Sequence, residues 1–300
     1  MRFKVSLFIL FLFVSKLGLA QIQGVVVNKV TNQPIPYVNI WISGENIGTS
    51  SNHAGEFSLR PSDSSKLIQF SAIGFESLKI EISQLTSTTF LQPNSIQISE
   101  IHITASKKAK ELVIGKVKKL ESNYSYAANG IPWIVSRFID YDTLYQKTPY
   151  ISKARFRTKS KINNAKFIVH IQLPDENGQP GEHLVRENIY GFAKRGTRIT
   201  EIDLSKYQLD FPKTGFFIGI ERIIVEENKH EFKVIVSETN KKETITEYQP
   251  SLKASKDLTN QCAWIYSRGK WTRNTKALNI DTQTYKTYST ALAVQFVLSN

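Results

Sequence analysis

Short runs in which apolar and polar residues alternate recur along the chain, and Gly, Pro, Asn and Asp punctuate them. Alternation at a period of two marks strands with one buried face. Residues 24–28 are Val-rich and suit a pleated surface. Thr31, Asn32, Gln33 and Pro34 form a turn cluster, in which Pro34 and then Pro36 bar helix. Across 37–42, Val38, Ile40 and Ile42 fall on one face and Tyr37, Asn39 and Trp41 on the other. Gly44 and Gly48 bracket a hairpin, Asn52-His53-Ala54-Gly55 turns the chain, and Phe57 and Leu59 share one face of the next strand. Further strands are expected at 66–72, 77–82, 88–91 and 99–104.

The pattern changes at 106–123. Leu112, Val113, Val117 and Leu120 fall near helical spacing, with Lys on the other face. Gly115 interrupts them, so the expectation is a Lys-rich linker over 106–130 with a short helix. A basic amphipathic helix on a membrane surface is the alternative for this stretch. From 131 alternation returns. Strands are expected at 133–139, 153–158, 166–173, 187–192, 200–204, 215–224, 231–236, 262–266 and 290–298, with a strong turn at 175–181. Many short strands at near-regular spacing predict a second all-β domain, a sandwich or jelly roll, over 131–300.

The first domain resembles a known family. Gly24-Val25-Val26, Thr31, Pro34-Ile35-Pro36, Val38-Asn39-Ile40, Gly48-Thr49-Ser50 and Gly55-Glu56-Phe57-Ser58-Leu59 occur in the order seen in carboxypeptidase-regulatory-like domains. The resemblance continues through 68–75 and 98–105. It implies a small transthyretin-like β-sandwich over 21–105, of the kind carried by surface and outer-membrane proteins of Bacteroidetes-type bacteria, often ahead of a TonB-dependent receptor. Residues 166–171, 178–182 and 215–221 resemble a jelly-roll-like module that follows such domains in exported proteins, which implies architecture and no chemistry. Arg222 stands where an aromatic is usual in that module, which points to an altered surface. The fold class expected is therefore all-β, a transthyretin-like sandwich followed by a second sandwich or jelly-roll-like domain.

Charge and the N-terminus set the expected compartment. Residues 1–20 read as a signal peptide: Arg2 and Lys4 precede an apolar stretch of about ten residues, short of the ~20 that span a bilayer. Gly18-Leu19-Ala20 supplies the small residues of a cleavage site before Gln21. With Arg2, Lys4 and Lys16 removed, the net charge of +13 becomes 13 − 3 = +10. No later stretch is apolar enough for a transmembrane helix, and the single Cys, Cys262, allows no intramolecular disulfide. The expected location is the periplasm, the outer-membrane surface or the medium. Export argues against nucleic acid, leaving an envelope protein or a glycan as the expected partner. The roughly 200 residues after the first domain are too few for a plug and a ~22-stranded barrel.

Catalytic chemistry is hard to find. His53-Ala54-Gly55-Glu56 has the H-x-x-E spacing of two zinc ligands and is the only motif for a metallopeptidase. It sits in a turn that needs polar residues and a Gly, and the regulatory-like family is a non-catalytic appendage. Asp175, Asn177 and Glu182 offer oxygens for calcium without EF-hand spacing, and the Asn-Gly step alone explains a hairpin. His102, His170, His183 and His230 are scattered, and His170 reads as a core-edge or surface residue. No G-x-S-x-G, P-loop or G-x-G-x-x-G is present, and Cys262 reads as a buried thiol. Neither a catalytic set nor a cofactor is expected. Trp264, Tyr266 and Trp271, near Arg268 and Lys270, are the candidate ligand-binding residues, an aromatic platform for a glycan if exposed and coplanar.

Overall fold

The computed structural model describes residues 21–94, 110–118, 124–127, 130–236, 240–257, 262–274, 279–280 and 287–300. The expected signal peptide at 1–20, His102 and the strand expected at 99–104 lie outside the described residues.

The chain is all-β and forms two units. The first holds β1 (Ile22–Asn28), β2 (Asn39–Ile42), β3 (Gly48–Ser50), β4 (Glu56–Leu59), β5 (Leu67–Ser71), β6 (Leu78–Glu81) and β7 (Thr88–Leu91). One sheet runs β4-β1-β7, with β1 and β7 parallel, and the other runs β3-β2-β5-β6. Val26, Phe57 and Leu91 from the first sheet meet Ile40, Ile42, Ile68 and Phe70 from the second in one core. The turn before β4 is closed by Asn52, whose Oδ1 accepts from the backbone N–H of Ala54 and of Glu56.

The second unit begins with β8 (Glu111–Gly115), β9 (Ser125–Tyr126), β10 (Trp133–Ile139), β11 (Tyr150–Ser160), β12 (Ala165–Pro174), β13 (Pro180–His183) and β14 (Ile189–Ala193). It continues with β15 (Gly196–Asp203), β16 (Leu209–Asp210), β17 (Phe216–Arg222), β18 (Lys229–Val236), β19 (Lys241–Tyr248) and β20 (Ser251–Asp257). The last strands are β21 (Trp264–Ser267), β22 (Lys270–Arg273), β23 (Asn279–Ile280), β24 (Thr287–Leu292) and β25 (Val294–Ser299). A seven-stranded sheet runs β13-β12-β17-β10-β21-β22, with β14 also on β12. A nine-stranded sheet runs β23-β24-β20-β11-β25-β8, with β15 and β16 on β11 and β9 on β20. Val135, Phe167, Val169, Phe216 and Ile218 of the first sheet pack against Ala154, Phe156, Leu252, Phe296 and Leu298 of the second. The β18–β19 hairpin stands as its own two-stranded sheet.

Three expectations are corrected. The helix expected around 112–120 is, over Glu111–Gly115, a strand paired with β25, because Leu112 and Ile114 alternate inward onto the large core. The strand expected at 290–298 divides at Ala293 into β24 and β25, which pair with β20 and β11 respectively. Arg222 alters no surface. It is buried, with Nε donating to the Pro250 carbonyl, Nη2 donating to the Tyr248 carbonyl and its guanidinium over the Trp133 ring. Burial pulls its pKa down to about 9, against the opposing influence of Glu247.

Candidate binding site at the seam

The two units meet through the face of β2 and β5 that points away from the small core. All four residues of β2 are buried, since Ile40 and Ile42 enter the small core while Asn39 and Trp41 enter the seam. Their counterparts are β12 and β17. In β12, Phe167, Val169 and Ile171 enter the large core, leaving Ile168, His170 and Gln172 for the seam. All seven residues of β17 are buried, with Glu221 at the seam. Tyr37 and Ile73 of the first unit pack with Ile168, Ile223 and Val225 of the second. Ser50 Oγ accepts from the Ile224 N–H at 3.0 Å, and Lys166 Nζ donates to the Tyr37 hydroxyl.

A chain of polar side chains runs through this seam. Asn39 Nδ2 donates to Glu221 Oε1 at 2.9 Å, and Glu221 Oε2 accepts from His170 Nε2 at 2.7 Å. His170 Nδ1 meets His183 Nε2 at 2.9 Å, one of the two supplying the proton. A buried charge needs such partners, since desolvation is otherwise uncompensated. Gly219 lies opposite His170 in the ladder, and a Cβ there would stand 3.1 Å from Ile134 Cγ2 and 3.4 Å from His170 Cβ. Its missing side chain keeps that space open. Burial, then the adjacent His170, pushes the His183 pKa down to about 3.

Beside the chain lies a cavity of about 160 Å³, lined by Asn39, His170, Gln172, His183, Tyr266 and Trp271, among others. Gln172 Nε2 donates to the Gly181 carbonyl at 2.8 Å. Two acceptors, Asn39 Oδ1 and Gln172 Oε1, are buried with no hydrogen-bond partner among the described residues. Such atoms are uncommon and call for a water or a ligand. Burial pushes the Tyr266 hydroxyl up to about 12, a hydrogen bond with Ser71 opposing it.

The structure brings together two of the three predicted aromatics. Tyr266 and Trp271 line the cavity, with ring centroids 5.1 Å apart and planes inclined at 54°. Tyr266 also meets Trp41 edge-on at 5.7 Å. Trp264 packs instead against Phe217 at 89°, under Arg273. All three are half-buried, and the rings make a bent wall rather than a coplanar platform. His53 and Glu56 do not converge: His53 is exposed 3.8 Å from Glu227, while Glu56 accepts from Asn52 Nδ2. Among the described residues no group of three His, Cys, Asp or Glu is placed to hold a metal ion. Asp175 Oδ1 is engaged by the N–H groups of Asn177 and Gln179, and Glu182 pairs with Arg186. Cys262 is buried. His170 is no edge or surface residue, because its strand is covered on both faces. Sequence reading missed Asn39, His170, Gln172, His183 and Glu221 as a group. The signal available was the apolar run on both faces of 216–220, which marks a strand buried on two sides.

The architecture is that of an all-β protein with a small N-terminal sandwich seated on a larger one. Residues 22–103 match the model of the CarboxypepD_reg-like domain, and such a domain is present there. No curated protein matches the chain. Among solved structures it is similar to one titled "Structure of infectious bursal disease virus Gx strain", at 10% identity and a TM-score of 0.22. That alignment takes in 88% of this chain and 60% of the other, and a likeness so slight carries no argument. Among the described residues no helix is long and apolar enough to cross a membrane, which says nothing of strands.

Proposed function

We propose that this protein is a non-catalytic binding module of the bacterial cell envelope, and that the seam cavity holds a small hydroxylated ligand such as a sugar unit. The observation that carries the reading is the pair of buried, unpartnered acceptors Asn39 Oδ1 and Gln172 Oε1 beside Tyr266 and Trp271. Both atoms can only accept, so the ligand must donate O–H or N–H groups. Aromatic walls suit the C–H faces of a sugar ring, and few convergent polar groups in a concave site fix orientation. The regulatory-like family of the first unit, a non-catalytic type of domain, supports the absence of turnover. The leader pattern at 1–20 supports an envelope location, with an outer-membrane protein as a further partner.

Isothermal titration of the mature chain against a panel of neutral monosaccharides and oligosaccharides tests the cavity. Saturable binding is expected, weakened about tenfold or more by Gln172→Met, which leaves a donor of the ligand unmatched. Binding that Gln172→Met and Trp271→Ala both leave unchanged would sink the assignment. The location is tested by recovering the tagged chain from its own envelope and identifying what co-purifies. A chain found only in the cytoplasm overturns that part.

A further inference from the structure

A second concave surface shares no lining residue with the seam cavity. It is an open groove of about 960 Å³ between the β18–β19 hairpin and the border of the nine-stranded sheet. One wall is residues 244–249, six consecutive positions covering most of β19 and its exit. The other wall includes Ser125 of β9, Ala127, Gly130, Ser251 of β20, Lys159 of β11 and Lys161 just after it.

We propose that this groove takes an extended, acidic segment of a partner protein, which adds to β19 as a third strand. Four observations carry the inference. First, among the described residues β19 pairs only with β18, over all eight residue pairs, and six consecutive positions at its end line the groove, as an edge rather than one face of a strand would. A row of free backbone groups is a template for another strand. Second, a two-stranded hairpin is marginal alone and becomes stable with a third strand. This hairpin has little cover, with Ile235 61% and Ile245 37% exposed. Third, the wall is long enough: six residues of strand span about 20 Å. Fourth, the charge is complementary. The groove is lined by Lys159, Lys161 and Lys229 and by one carboxylate, Glu247. Lys229 is paired with Glu226 and Glu231, whereas Lys159 and Lys161 have no ion-pair partner among the described residues.

The geometry also says which features the segment needs. Thr244, Thr246 and Tyr248 share one face of β19, and Ile245 and Glu247 the other. Ile245 stands opposite Phe232, and His230 stacks on Phe232, so that second face offers apolar contact. A segment that alternates acidic and apolar or β-branched residues satisfies both the lysine wall and this contact. Backbone pairing supplies affinity, and the acidic positions supply selectivity.

The test uses the full mature chain and fluorescein-labelled peptides of about ten residues, long enough for the ~20 Å wall. One alternates Thr with Asp, a second alternates Thr with Lys, and a third is the acidic peptide N-methylated at every residue. Fluorescence anisotropy is expected to show the acidic peptide binding at least about tenfold tighter than the basic one. N-methylation, which removes the peptide's own donors without touching the protein, is expected to weaken binding about tenfold. The double variant Lys159→Glu/Lys161→Glu should do the same to the unmodified acidic peptide. Equal binding of the acidic and basic peptides overturns the charge argument. Binding that survives N-methylation, or that polygalacturonate matches at equal charge, shows a polyanion surface and overturns strand addition. Either failure leaves the seam cavity reading intact, because no residue is common to the two surfaces.

Discussion

A carboxylate and an imidazole placed side by side away from water are favourable only as a pair. Glu221 and His170 are both almost fully covered and 2.7 Å apart, with Asn39 on the second carboxylate oxygen. Removing one partner strands the other and leaves Asn39 without its acceptor. Glu221→Ala is therefore expected to destabilise the protein by about 3 kcal/mol or more, read from urea unfolding. A loss below about 1 kcal/mol would mean water already solvates the pair. His183 contributes a pH dependence of its own. In the unfolded chain it binds a proton near 6.5, and in the folded protein near 3. Between those values the unfolded state holds the extra proton, so stability falls as the pH is lowered. The slope contributed is up to about 1.4 kcal/mol per pH unit. Thermal unfolding from pH 7 to pH 4 should show it, and His183→Gln should flatten that part of the curve.

At the scale of elements, the hairpin β21–β22 shows how a turn positions a site. Ser267 pairs with Lys270, leaving Arg268 and Gly269 as a two-residue loop, both at positive φ (51° and 80°). Two left-handed residues give the twist that a tight hairpin requires. A Cβ on Gly269 would also meet Gln69 Oε1 at 2.7 Å, on the first unit. Gly269→Ala is expected to cost about 1 kcal/mol of stability from backbone strain alone, with the clash adding to it. It should also perturb the fluorescence of Trp271 across the cavity. The elements differ in how openly their residues announce them. The strand at Trp133–Ile139 and the one at Thr88–Leu91 follow from β-branched and aromatic residues between turn signals. The strand at Lys241–Tyr248 was missed because KKETITEY is polar, as suits an exposed hairpin. The segment Glu111–Gly115 fits either period, since five apolar-rich residues cannot separate 3.6 from 2. The seam was least legible: Glu221 lies 51 residues from His170, and no local pattern records which faces two sandwiches will turn to each other.

For the whole molecule, that seam decides cooperativity. The Tyr37–Ile73–Ile168–Ile223–Val225 cluster and the Asn39–Glu221–His170 chain would be exposed if the units came apart. The full chain is expected to show one calorimetric transition, with equal van't Hoff and measured enthalpies. Two resolved transitions would show that the sandwiches melt as separate bodies. The burial of β2 and β17 on both faces has a further consequence for backbone amide exchange with deuterium. In a single sandwich the slowest amides belong to the middle of its core. Here the longest-lived protons are expected on Phe216–Arg222 and Asn39–Ile42, because opening either strand must breach a core and the seam together. The most persistent part of the molecule is then the boundary between its two halves.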